Sequence, residues 1–256
     1  RITTPPFSRG RKSFSRPFMR CSVPRLPFFH AKLGARGFTI LSSRNKVVSL
    51  EDAAAIVHNG DTVSCSGFVA QGAPEALLEA LGKRFMATGE PKELTVFFGG
   101  GPGDFETKGL NHLGVEREDG SLMVRRTIGS HYGQIPMLAN LVLKNRIEGY
   151  TLPLGSISRM TRATAASVPG HITRIGMGTF VDPNCGTGGK LNGRTKEDIV
   201  SRITVGDQEW LYYKAVPINV AFIRATTSDP EGNLTFEHES VLADAKVLAM
   251  AARNSG

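Results

Sequence analysis

Short apolar runs that end in glycine recur along the first half of the chain. Residues 62–68, 94–98 and 123–128 are runs of this kind, and their length and flanking glycines predict β-strands buried on both faces. Pro74 and Pro136 follow the loops after the first and third runs, and leucines at helical spacing come next, which predicts a helix from each proline. The hydrophobic pattern therefore predicts a repeated order of strand, glycine-rich loop and helix.

The later part of the chain continues this alternation and adds a hairpin. Residues 172–180 have a strand-like pattern and lead into a long glycine-rich loop, while Gly206-Asp207 separates two runs that predict an antiparallel hairpin. Residues 219–226 predict another buried strand, and residues 241–253 predict a closing amphipathic helix. The expected fold class is α/β, with an open, mostly parallel sheet, helices on both faces and a small antiparallel hairpin element.

The glycine-rich loops are the first candidates for a functional site. Carboxyl ends of parallel strands meet at one edge of a sheet, and ligands of open α/β sheets bind there. Gly67 and Gly72 free the backbone for a tight turn, and unpaired N–H groups before Pro74 would suit a carboxylate or a developing oxyanion. A strand, a glycine and a helix also occur in α/β proteins that bind nothing at that turn. Because the pattern occurs three times in this chain, a binding site is favoured.

The positive charge of the chain is concentrated near its start. The chain has 256 residues and a net charge of +8, which by itself favours a nucleic acid or an acidic membrane surface as partner. Eleven of its 31 Lys and Arg lie in residues 1–50, which hold no Asp or Glu, so the other residues have 20 basic groups against 23 acidic ones. Residues 51–256 are therefore slightly acidic, and neither a nucleic acid nor a membrane is expected as a partner.

Residues 1–46 have the composition of an organellar transit peptide. They are rich in Arg, Ser and Phe, they lack acidic residues, and they contain no run of about 20 apolar residues that would span a membrane. We expect a disordered mitochondrial transit peptide, cleaved around residues 36–43, and a mature protein in the mitochondrial matrix. The alternative is a basic tail that binds nucleic acid. Since the chain begins with Arg1 and not with Met, we expect the natural N-terminus to lie upstream.

Cysteine and histidine usage indicates no metal site and a reducing compartment. Cys21, Cys65 and Cys185 show no CxxC spacing, and the histidines show no HxxxH or HxxEH arrangement. The sequence also lacks the GxGxxG and GxxxxGK[ST] patterns, so no nucleotide cofactor is indicated.

Five sequence blocks in the later part of the chain resemble the family I coenzyme A transferases. They are residues 175–183 (IGMGTFVDP), 188–192 (GGKLN), 195–200 (TKEDIV), 209–215 (EWLYYKA) and 221–237 (AFIRATTSDPEGNLTFE). Residues 66–81 (SGFVAQGAPEALLEAL) are similar to the first glycine loop and helix of that family. The resemblance covers residues 47–256 and is closest to the acetate or propionate CoA-transferase branch, with succinyl-CoA:3-ketoacid CoA-transferase more distant.

The resemblance implies a protein of two related α/β halves, of which residues 47–256 would be the first. It further implies that a glutamate of the second half attacks the acyl-CoA thioester, and that CoA passes between two carboxylic acids in a ping-pong scheme through a glutamyl-CoA thioester. The glycine-flanked motif of that glutamate is not found here, so the nucleophile is expected beyond Gly256 and no residue of this chain is expected to be catalytic. The glutamates of the first-half motifs are interpreted as helix, turn or sheet-edge residues: Glu75, Glu231, Glu237 and Glu239.

By the same resemblance, the first half contributes part of the acyl pocket and covers the glutamate. The substrate-binding candidates lie in the strand-end loops: Gly67, Phe68, Gly72, Ala73, Gly100, Gly101 and Gln134. The amide of Gln134 can donate to a carboxylate or an oxyanion without burying a charge, and it is equally suited to capping the helix that follows. Phe68 has the residue type of a core position. His131 is more typical of a hydrogen-bonded loop histidine than of a general base.

The resemblance also implies the partners. Coenzyme A is expected as a substrate and not as a bound cofactor, together with acyl-CoA and short-chain carboxylates of the acetate, propionate, acetoacetate or succinate class. The full-length protein is expected to be homo-oligomeric and to act in short-chain fatty acid or ketone body metabolism. The alternative is a non-catalytic half-domain that binds acyl-CoA or a partner protein.

Overall fold

A computed structural model of the chain describes residues 45–255. The strands are β1 Thr62–Cys65, β2 Leu94–Phe97, β3 Val124–Gly129, β4 Glu148–Thr151, β5 Gly170–Thr173, β6 Val200–Val205, β7 Gln208–Lys214, β8 Val220–Phe222, β9 Thr227–Ser228 and β10 Leu234–Thr235. The α-helices are α1 Leu50–Ala55, α2 Glu75–Thr88, α3 Pro136–Leu143, α4 Leu154–Ala165 and α5 Ala245–Ser255. A short 3₁₀ helix spans Leu110–Leu113.

Five strands form the main sheet in the order β4-β3-β2-β1-β8, and every neighbouring pair is parallel. A second sheet joins β5, β7 and β6 in antiparallel fashion, and β9 and β10 form a small hairpin. The expected fold class, an open parallel α/β sheet with an antiparallel element, is confirmed.

Two buried clusters cover the two faces of the main sheet. Because side chains alternate along a strand, Val96 of β2 packs in one cluster with apolar residues of α2 and α3. Its neighbour Phe97 packs in the other cluster with Ile157 of α4 and Leu248 of α5. Helices therefore lie on both faces, as the sequence predicts, and the carboxyl ends of the strands remain accessible between the two layers.

Several helix boundaries follow the sequence signals closely. Ser49 caps α1, and its hydroxyl oxygen accepts a hydrogen bond from the backbone N–H of Asp52 at 3.0 Å. The helix α3 begins at Pro136, as predicted.

Three predicted elements are shorter in the structure than in the sequence pattern. The strand expected over residues 172–180 ends at Thr173, since Gly176 and Gly178 take φ angles of 98° and 72°, which lie outside the β region. The strand expected over residues 219–226 covers only Val220–Phe222. The last helix begins at Ala245 and not at residue 241, because Ala243 takes a φ of 33°. The expected transit peptide falls almost wholly outside the described residues.

Candidate functional site

The loops that follow β1, β2 and β3 are joined by backbone hydrogen bonds. The N–H of Val69 donates to the carbonyl of Gly100 at 3.3 Å, and the N–H of Gly103 donates to the carbonyl of Val69 at 3.0 Å. The N–H of Phe105 donates to the carbonyl of Gln134 at 3.0 Å, which connects the second loop to the third. The meeting of the three loops at one sheet edge, predicted from the sequence, is therefore confirmed.

Glycine is required where these loops cross. A Cβ on Gly101 would lie 2.3 Å from the carbonyl oxygen of His131, and Gly101 has a φ of +57°. A Cβ on Gly100 would lie 2.3 Å from Cδ2 of Phe68. Gly67 has a φ of +117°, and a Cβ placed on it would lie 3.0 Å from the backbone nitrogen of Ala73. Backbone therefore approaches Gly67 and Gly101, and the ring of Phe68 approaches Gly100, more closely than a residue with a Cβ permits.

The backbone of Val69 is strained at the same place. Its φ of 54° is costly for a β-branched residue, and its N–H and carbonyl are both used in bonds between loops. Strained residues of this kind cluster at functional sites, so Val69 is an independent indication that this edge of the sheet is one.

A cavity of about 720 Å³ opens where the loops meet. Phe68, Gly100 and Gln134 of the predicted set line it, and Phe68 is 45% exposed instead of belonging to the core. Much of the opposite wall comes from Leu152 to Leu154 and from the segment around Phe180. The cavity is mostly apolar, with a few polar groups on the side of the third loop, which is the usual composition of a small-molecule site.

Gln134 presents its amide to this cavity. Its Oε1 lies 2.5 Å from Nδ1 of His131, so Nδ1 carries the proton because the amide oxygen only accepts. Among residues 45–255 the Nε2 of Gln134 has no hydrogen-bond partner, and α3 has no side-chain cap at its start. The helix-capping interpretation of Gln134 is therefore wrong, and the free N–H₂ is available to a ligand.

The other predicted residues lie further away. Gly67 lines a second, adjoining cavity, and Gly101 is buried beneath the loops. Gly72 and Ala73 line neither cavity, because the chain turns between Phe68 and Gln71 through hydrogen bonds of 2.9 and 3.1 Å. The anion site expected before Pro74 is therefore not part of the cavity.

The glutamates of the first-half motifs also lie outside both cavities. Glu75 joins the start of α2 to the 3₁₀ helix, because its Oε2 accepts from the N–H of Gly109 at 2.7 Å and its Oε1 lies 2.7 Å from Nε2 of His112. Glu239 pairs with Arg224, with 3.1 Å between Oε2 and Nε. The structural interpretation of these two residues agrees with their contacts.

Asp182, which the sequence analysis did not single out, holds the far wall in place. Its fully buried carboxylate accepts from Nε and Nη2 of Arg202 at 2.9 and 2.6 Å. It also accepts from the backbone N–H of Gly178 at 2.8 Å, within the cavity-lining segment. The hydrogen bonds from Arg202 hold the pKa of Asp182 well below its usual range, against the opposing effect of burial. The glycine-rich segment VDPNCGTGGKLNG (residues 181–193) was the available signal, but the pairing partner lies 20 residues further along the chain.

The described residues contain no cluster of three or more His, Cys, Asp or Glu side chains placed to hold a metal ion. Within the same range, each helix is too short or too polar to cross a membrane.

With the fold and the site defined, comparison with known proteins gives the family. The sequence model of coenzyme A transferases matches residues 47–254. The chain therefore belongs to the coenzyme A transferase family, which confirms the resemblance of the five sequence blocks.

Three known proteins illustrate the match. The caffeate CoA-transferase of Acetobacterium woodii is 37% identical over 211 residues, covering 82% of this chain and 39% of the relative. The acyl-CoA transferase YdiF of E. coli O157:H7, solved as a thioester complex with CoA, superposes with a TM-score of 0.79 at 37% identity, covering 83% of this chain and 41% of that one. The acetate CoA-transferase subunit alpha of Escherichia coli K12 is 26% identical over 76% of each chain. The chain spans about two fifths of the length of the first two proteins.

The first prediction concerns the crossing of the loops at Gly101. We expect Gly101→Ala to lower the free energy of unfolding by about 1–3 kcal/mol, because alanine at positive φ is strained and its Cβ meets a backbone oxygen. Gly193→Ala is the matched control, since a Cβ there meets nothing within 4 Å. Urea denaturation of both variants measures the difference, and equal stability of the two would contradict the account.

The second prediction concerns pH. Because the pKa of Asp182 is lowered in the folded state, its contribution to stability is present above the unfolded pKa of about 3.9 and is lost as the pH falls below it. We expect the wild type to be more stable than Asp182→Asn at pH 6, and this difference to shrink towards pH 3. Thermal unfolding of both proteins, with exposed Asp207→Asn as control, tests this. A difference independent of pH would show that the charge of Asp182 is not the cause.

Proposed function

We propose that this chain forms the acyl-side half of a coenzyme A transferase that moves CoA between a short-chain acyl-CoA and a carboxylic acid. The observation that carries the proposal is the cavity at the joined strand ends, which has apolar walls and the free amide of Gln134. The family and the names of the relatives support the reaction class. The acetate, propionate, acetoacetate and succinate class of acids is proposed on the sequence resemblance.

The nucleophile in this proposal is a glutamate from a second half, on the same chain or on a separate subunit. It would attack the thioester carbonyl to form a mixed anhydride, and the CoA thiolate would leave. The thiolate would then attack the glutamyl carbonyl of the anhydride, which forms the glutamyl-CoA thioester and releases the first carboxylate. The second carboxylic acid would take the CoA by the reverse of these steps. Two findings support this: among residues 45–255 no glutamate lines either of the two adjoining cavities at the strand ends, and the related YdiF was solved as a thioester complex with CoA. The match to a separate subunit alpha supports assembly from two parts.

Gln134 has a defined role in this scheme. Attack on the thioester turns its carbonyl oxygen into an oxyanion, and the N–H₂ of Gln134 would donate to that oxygen. The contact with His131 engages the amide oxygen, which leaves Nε2 as the donor that Gln134 can offer in the cavity it lines. A donor fixed before the reaction stabilises developing charge without the cost of reorienting it, and this is usually the largest electrostatic contribution to such steps.

A non-catalytic half-domain that binds acyl-CoA is the second candidate. The transfer assay separates the two candidates. A binding domain would bind acyl-CoA without transferring CoA, and its affinity would not depend on the amide of Gln134.

The third prediction tests the proposed function with propionyl-CoA and acetate. We expect no transfer by the 256-residue chain alone and clear transfer when the second half is supplied. In the assembled protein, Gln134→Ala should lower kcat by roughly 10²–10³, the usual effect of losing one oxyanion donor. Exposed Gln208→Ala is the control. Full transfer by the chain alone would overturn the proposal of a second-half nucleophile, and unchanged kcat in Gln134→Ala would overturn the role of the amide.

We propose that the full-length protein is a homo-oligomer and acts in short-chain acyl metabolism in the mitochondrial matrix. The fourth prediction concerns this location. Residues 1–46 are basic and lack acidic groups, so they should direct a fused fluorescent protein to mitochondria. Replacing the arginines of this segment by glutamine is expected to abolish import. Retention of the fusion in the cytosol or the nucleus would contradict the proposal.

A further inference from the structure

A second cavity, of about 350 Å³, adjoins the first. The two share Phe68, Gly100 and Leu154 in their walls, so a ligand in the first cavity has the second beside it. Its volume is near the lower end of the roughly 300–1,000 Å³ of typical ligand sites, which suits a short chain and not a nucleotide.

Ser64 of β1 points into this second cavity with an unpaired hydroxyl. Its neighbours Val63 and Cys65 pack in the cluster with α2 and α3, so the alternation of side chains turns Ser64 to the opposite face of the sheet. Residue Ser64 is 1% exposed, and among the described residues its Oγ has no hydrogen-bond partner. A buried hydroxyl without a partner is costly, which indicates that a ligand atom completes its bonding.

The first turn of α4 supplies further donors to the same cavity. Leu154 and Gly155 line it, and α4 has no side-chain cap before its first turn. Within residues 45–255 the backbone N–H groups of these two residues have no acceptor, as is usual for the first residues of a helix. The cavity thus combines the buried hydroxyl of Ser64 with two backbone donors that are open to an oxygen acceptor.

Asp244 on the opposite side restricts which acceptor fits. Its carboxylate lines the cavity and accepts a hydrogen bond from the hydroxyl of Ser158 at 2.9 Å. Among residues 45–255 the ion pair that this carboxylate makes is a long one, with 3.9 Å between Oδ1 of Asp244 and Nη2 of Arg162. A second carboxylate on a ligand would be repelled by this charge, whereas a hydroxyl or oxo oxygen would not.

We propose that the second cavity holds the non-reacting end of the acyl chain, and that Ser64 selects a neutral hydroxyl or oxo oxygen there while Asp244 excludes a second carboxylate. The assignment rests on the proposed function for the orientation of the acyl chain. It narrows the substrate class from short-chain acids in general to those with an uncharged oxygen beyond the reacting carboxyl group.

Direct binding to the 256-residue chain tests this, because binding does not depend on transfer. Ligand-observed NMR titrations use three acids that differ beyond their first carboxylate. 3-Hydroxybutyrate carries a neutral oxygen there, butyrate carries none, and succinate carries a second charge. We expect 3-hydroxybutyrate to bind about five- to tenfold more tightly than butyrate, as one net hydrogen bond allows, and succinate to bind most weakly. Ser64→Ala should remove the preference for the hydroxyl compound, while exposed Ser201→Ala should keep it.

Asp244→Asn provides a second variant that leaves Ser64 in place. It should raise the affinity for succinate and leave the preference for 3-hydroxybutyrate over butyrate intact. The assignment is wrong if neither monocarboxylate binds, if Ser64→Ala retains the preference, or if succinate binds the wild type as tightly as 3-hydroxybutyrate. If the assembled wild-type protein shows this binding pattern but transfers no CoA, the proposed function is wrong, while the assignment of the second cavity to an uncharged oxygen stands.

Discussion

The close approach of peptide backbones at the carboxyl ends of β1, β2 and β3 is the constraint on which the rest of the structure depends. The parallel sheet places three loops at one edge, and glycines such as Gly101 and Gly103 let them cross at distances that a Cβ would block. Hydrogen bonds between loops then replace the strand pairing that has ended. The result is a site made of rigid backbone, on which only a few side chains, Gln134 foremost, remain free to meet a ligand.

The two faces of the sheet have different relations to this site. On one face, α2 and α3 pack densely on the strands and support the loops from behind. On the other face, α4 starts at the cavity wall, so its first turn and the side chain of Ser64 are directed to the same small space. The antiparallel sheet holds the remaining wall through the ion pair between Asp182 and Arg202. The buried carboxylate of Asp182 accepts several hydrogen bonds and so fixes the conformation of a glycine-rich loop whose own backbone permits many conformations.

The sequence predicted the parts of this architecture that depend on local pattern. Glycine after a buried strand and proline before a helix are local signals, so the three strand-end loops and the start of α3 could be placed without a structure. The far wall could not, because it depends on Asp182 meeting Arg202 across a loop whose glycines permit many paths. Gly72 and Ala73 were expected at the site, and the turn between Phe68 and Gln71 directs them away from it. The sequence pattern does not distinguish Ser64 from other small strand residues, because the lack of a hydrogen-bond partner for its hydroxyl is visible only in three dimensions.

The central claim is that the amide of Gln134 faces the reacting acyl group. A crystal structure of the chain assembled with its second half and a short acyl-CoA tests it most directly. The account predicts that the acyl carbonyl oxygen lies about 3 Å from Nε2 of Gln134, with the rest of the acyl chain directed towards Ser64. An acyl group bound elsewhere, with side chains of the second half filling both cavities, would contradict it.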